Sequence, residues 1–224
     1  MKTNRTAQLI YQSFYCALGL VAIFASFGIF DDYTMFRWDF YVHFTNLSNY
    51  FCIAVMVAQL VQTAKKKEDS YVTAVPVLKF IGVLAILLTF VVFNALLAGA
   101  REPQLNWRVG SLLSHVVLPI MFVADWFLFR ECGKVKWYYP MACAGFPLAY
   151  LAFIFIQAVI LKFDTSILIP GTNTPLIYPY FFVNLETQGV GGVAKWAVLL
   201  LVAFMAVGYL FYGIDKLLSH KGNR

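Results

Sequence analysis

Within residues 43–49 stand a histidine, a threonine, two asparagines and a serine: His43, Thr45, Asn46, Ser48 and Asn49. Residues 50–61 then run almost wholly apolar. In hydrocarbon an unpaired polar group costs several kcal/mol, so these side chains must face protein or water. A hydroxyl flanked by carboxamides and an imidazole is also the raw material of acyl transfer. Threonine is a weak nucleophile until a base takes its proton, and neutral imidazole does this near pH 7. The tetrahedral intermediate then needs hydrogen-bond donors for its oxyanion.

The elements that must carry this chemistry are membrane helices. The 224 residues are 61% hydrophobic and 12% charged, with mean hydropathy +0.73, against roughly a quarter charged in an ordinary globular chain. An aromatic content of 18% suits interfacial belts. Apolar runs of membrane-crossing length lie at about 9–30, 41–62, 78–99, 109–129, 140–161 and 196–213. The expected fold is an all-α bundle of six transmembrane helices, with residues 1–224 forming one membrane domain. The first run exceeds the h-region of a signal peptide and reads as an uncleaved span. A longer connection, 162–195, precedes the sixth.

Twelve of the 17 Lys and Arg residues fall at the termini and in the even-numbered connections. The positive-inside rule therefore puts both termini in the cytoplasm of a multi-pass cell-membrane protein. The net charge of +6 is explained by topology and points to no nucleic-acid partner. Cys16, Cys52, Cys132 and Cys143 form no C-x-x-C pair and read as small buried hydrophobes; no metal or cofactor is expected. The two Asn-x-Ser/Thr matches, at Asn4 and Asn46, fall on the cytoplasmic side and inside the membrane, so neither reads as a glycosylation site.

This topology sorts the polar residues by depth. Thr45 enters the second span about 6 Å below the outer surface, and His115 the fourth about 9 Å below it. Asn94 and Gln157 reach a similar depth from the third and fifth spans. Thr45, Ser48, Asn49 and Cys52 share one helical face by their i, i+3, i+4, i+7 spacing, and Ser111, Ser114, His115 and Leu118 share another. Thr45 and His115 thus fall in one outer-leaflet layer, where a hydroxyl and an imidazole could act together. Asn46, Asn49 and Asn94 are the expected oxyanion donors, because backbone N–H groups inside a helix are already bonded. Ser48, His43, Ser114 and Gln157 are secondary candidates. Asp125 lies some 15 Å deeper than His115, too far for a direct partner, and reads as an ion-pair or hydrogen-bond anchor. Residues 178–182, Tyr-Pro-Tyr-Phe-Phe, read as an interfacial belt or a lid over the outer-leaflet site.

Phe44-Thr45-Asn46-Leu47-Ser48-Asn49, Ser114-His115-Val116-Val117-Leu118-Pro119 with Asp125-Trp126, and the Tyr178 stretch together resemble a known group. The chain is similar to the prokaryotic six-span relatives of the androgen-induced and androgen-dependent membrane hydrolases. For the animal members the resemblance implies threonine hydrolases that cleave fatty-acid esters of hydroxy fatty acids. It carries the threonine nucleophile to Thr45 and its histidine partner to His115. The residues after the threonine are more polar here than in the animal pattern. The expected substrate is a lipid or fatty-acid ester drawn from the surrounding membrane lipids. A lipid acyltransferase using the same pair, or a lipid-binding or transport protein, are the alternatives.

Overall fold

The structure is a computed structural model that describes residues 4–29, 41–66, 73–100, 103–161 and 177–222. Six of its helices are long and apolar enough to cross a membrane, as expected: α1 Arg5–Ser26, α2 Phe44–Lys65, α3 Pro76–Ala100, α4 Val109–Leu128, α5 Tyr139–Ile160 and α6 Leu185–Gly222. No strand occurs among the described residues. The expected turn at Arg101-Glu102, and residues 162–176 of the long connection, lie outside them.

Helix starts differ from the apolar runs for local reasons. Helix α1 begins at Arg5 rather than near Leu9, because the Asn4 side chain caps the Ala7 N–H. Helix α6 begins at Leu185, eleven residues before the expected sixth span. There the Asn184 Oδ1 accepts from the Glu186 and Thr187 N–H groups at 2.9 and 3.2 Å. The helix is broken once, at Gly189, whose φ of 64° an L side chain rarely adopts.

The main core is built on Tyr15, Cys52, Met56, Phe80, Leu84, Phe122 and Trp126 of α1 to α4, with Tyr139 and Cys143 of α5 and Phe204 and Phe211 of α6 closing it. Gly82 allows the close approach of α3 and α4, since a Cβ there would lie 2.9 Å from the Phe122 ring. A second core joins Val42, Ile154, Phe182 and Val183 where the segment before α6 meets α5.

Charged groups mark one end of the bundle. Arg5 donates to the carbonyls of Thr63 and Ala64 at 3.2 and 2.8 Å, setting the start of α1 beside the end of α2. Arg130, after α4, pairs with Asp215 of α6, whose other oxygen accepts from the Val135 N–H at 3.0 Å. The described ends of α1 and α6 therefore share a face. Just inside it, Lys79 of α3 pairs with Asp125 of α4, their side chains 2% and 0% exposed. Gln12 of α1 donates to Asp125 at 3.2 Å and accepts from Thr63 of α2 at 3.0 Å. Four helices are tied together there, in the anchoring role that sequence reading gave Asp125.

Candidate functional site

A cavity of about 100 Å³ lies at the opposite end from these charges, between α2, α3, α5, α6 and residues 180–183. Its walls are mostly apolar, with Phe93 on α3, Leu151 on α5 and Leu200 on α6 among them, and its polar edge is Thr45, Thr89, Tyr150 and Tyr180. Helix α2 starts at Phe44, capped by the extended residue His43, so Thr45 is only its second residue. In that first turn the Asn46 and Leu47 N–H groups bond back to the His43 carbonyl. The Phe44 and Thr45 N–H groups have no helical acceptor. The Tyr180 phenol lies near enough to them, and to the Thr45 and Tyr150 hydroxyls, for all of these groups to favour its charged form. Burial pushes the Tyr180 phenol up, and these groups pull it back down without cancelling the rise. It is therefore a protonated donor at neutral pH.

The other α2 polar residues turn into the bundle. Thr45, Ser48, Asn49 and Cys52 are all buried, on the shared face their spacing predicts. The Ser48 hydroxyl meets that of Thr89 at 2.7 Å. The Asn49 amide donates to the carbonyls of Thr45 at 2.8 Å and of Ser114 at 2.9 Å, binding α2 to α4. His43 places its ring 6.2 Å from that of Tyr180. Asn46 is half-buried in the first turn of α2. Gln157 donates to the Tyr41 hydroxyl at 3.1 Å, beside the second core rather than in the cavity wall.

His115 sits in a π-helical turn, Leu113–Val117, that faces a second one on α3, Phe93–Leu97. The α4 bulge sends the Leu118 N–H to the Leu113 carbonyl instead of that of Ser114, which exposes the carbonyl that Asn49 fills. Pro119 has no N–H to give the His115 carbonyl, and Asn94 approaches that carbonyl at 3.4 Å while donating to Phe90 at 2.8 Å. The Asn49 and Asn94 amides are thus committed to backbone carbonyls of the bulged region. Bulges of this kind recur at functional sites.

The imidazole stacks on Phe93, ring centroids 3.5 Å apart and planes 14° apart. Phe93 lines the cavity and His115 does not, so this ring stands between the cavity and the imidazole. The Nδ1 atom lies 2.9 Å from the Ser111 carbonyl, 3.2 Å from the Ser111 hydroxyl and 3.4 Å from that of Ser114. A carbonyl only accepts, so Nδ1 carries the proton and Nε2 the lone pair. Ser114 itself donates to the Gly110 carbonyl at 2.7 Å. Among the described residues no hydrogen bond joins Thr45 to His115; Asn49 links their helices instead.

Sequence reading missed Tyr180 as a partner of Thr45, and Phe93 as the partition before His115. The proline four residues after His115 was the one local signal of a broken hydrogen-bond ladder. No family model, curated protein or solved structure matches this chain.

Proposed function

We propose that this chain is an intramembrane lipid ester hydrolase with Thr45 as nucleophile. One observation carries the reading: Thr45 stands at the polar edge of an apolar cavity, in a first helical turn beside the Tyr180 phenol. In the reaction the Thr45 hydroxyl attacks the ester carbonyl and its proton passes to His115 Nε2. The Phe44 and Thr45 N–H groups and the Tyr180 hydroxyl receive the oxyanion, in place of the asparagine amides. Collapse expels the alkoxide, which takes the proton from the imidazolium, and water then cleaves the acyl-threonine. The Nδ1 bond to Ser111 supports this assignment, because it holds the tautomer whose lone pair is on Nε2. Rotation of Phe93 as lipid enters brings the imidazole to the cavity. With the positive end of the bundle cytoplasmic, the cavity lies in the outer leaflet of the cell membrane.

The position of Phe93 favours a second reading, lipid binding without turnover. One experiment separates the two. Purified protein is incubated with a fluorophosphonate probe and a panel of fatty-acid esters, and labelled peptides are mapped by mass spectrometry. Labelling at Thr45, with hydrolysis abolished in Thr45→Ala and His115→Ala variants that keep the parent melting temperature, is the expected result. Saturable fatty-acid binding with neither labelling nor hydrolysis would establish the second reading.

A further inference from the structure

At the charged end of the bundle a small pocket of about 10 Å³ lies between the start of α3 and the segment after α4. It is lined by Thr73, Pro76, Lys79, Arg130, Lys134 and the Trp126 ring, with Glu131 at its edge. Arg130 is 4% exposed. One of its nitrogens is spent on Asp215 and its guanidinium lies 3.5 Å over the Trp126 ring. Among the described residues its buried Nε and Nη2 meet no acceptor, and the buried Thr73 hydroxyl meets no partner either. Pro76 opens α3, so the start of that helix stands at the pocket.

Leaving several donors unfilled in one buried spot is costly, and each would gain from an acceptor. Among the described residues, the nearby carboxylates do not supply it. Asp125 is held by Lys79, Asp215 by Arg130 and Val135, and Glu131 reaches Lys134 at 3.5 Å. The space admits roughly one oxygen atom, so the rest of an occupant stays at the mouth, beside the exposed Lys134. The pocket residues Thr73, Arg130, Glu131 and Lys134 lie just beyond the membrane-spanning segments, at headgroup level. The same face carries Lys65, Lys136 and Lys216.

We infer that this pocket binds a phosphate group, one oxygen inserted against Arg130 and Thr73 and the remainder held by Lys134. An anionic lipid headgroup and free phosphate offer the same chemistry. The test titrates the detergent-solubilised full chain with dihexanoyl phosphatidylglycerol, with inorganic phosphate, and with dihexanoylglycerol, the same lipid body without phosphate. Melting temperature is the readout. Either phosphate compound should raise it saturably, and dihexanoylglycerol should not. A rise with the phospholipid alone identifies a headgroup site, and an equal rise with inorganic phosphate a free-phosphate site. Thr73→Val and Lys134→Gln should each weaken the apparent affinity about tenfold. Both leave the Arg130–Asp215 pair intact, so the fold does not depend on them. No saturable rise with either phosphate compound, an equal rise with dihexanoylglycerol, or variants that respond like the parent would overturn the inference and leave water as the occupant.

Discussion

Thr45 owes its surroundings to where α2 begins. A threonine deeper in the helix would have its own N–H tied to a carbonyl one turn back; at the second position that N–H is left to a neighbour, and the neighbour is Tyr180. In the proposed reaction the Tyr180 hydroxyl is one of three oxyanion donors. Tyr180→Phe keeps the ring that stacks on Phe182 at 5.1 Å and removes only the donor. The expected outcome in steady-state kinetics is a kcat lower by about 10²-fold with KM little changed. A raised KM with intact kcat would make Tyr180 a wall of the cavity and nothing more. Residue type and depth put Thr45 and His115 in one layer of polar residues, and the resemblance picked them out of it. Tyr180 could not be placed beside Thr45 in this way, because it reaches Thr45 across 135 residues of chain and no local pattern encodes that approach.

The helices were readable wherever an apolar run met a membrane-length requirement, and their ends were misread where a cap or a single glycine decided the matter, as at Asn4 and Gly189. The two π turns lay beyond reach of periodicity, which assumes an unbroken helix. Their sequence cause on α4 is Pro119, and it is open to test. Pro119→Ala restores an N–H that competes with Asn94 for the His115 carbonyl and favours an ordinary helical turn. Because proline inside a helix costs about 3 kcal/mol, the variant should melt no lower than the parent. The same repacking moves the imidazole relative to Phe93, and hydrolysis should fall by about tenfold or more. Thermal scanning and ester turnover on the same preparation check both halves; loss of stability without loss of turnover would break the link between bulge and chemistry.

Across the whole bundle, polar side chains gather at two depths with a packed apolar layer between. The deeper set is the Lys79–Asp125 pair with Gln12 and Thr63, remote from the cavity. Removing one member of such a pair strands a buried charge. Asp125→Leu alone should destabilise the protein by about 3–5 kcal/mol, whereas Lys79→Met with Asp125→Leu should recover most of that loss. Denaturation of the two variants in one detergent measures the difference. A double variant as unstable as the single one would mean that Gln12 and Thr63, not the charge pair, carry the cost.

The long last helix measures the bilayer from within. Asp215 is held by Arg130 at the charged end, and the unbroken helix from there back to Val190 covers about 38 Å at the helical rise, more than the roughly 30 Å hydrocarbon core of a bilayer. The residues of that helix that line the cavity, between 193 and 201, stand about 21 to 33 Å from Asp215, in the far half of that length. On the proposed reading, a lipid arriving from the monolayer on that side meets Thr45 without first flipping across, so its sister monolayer is left untouched.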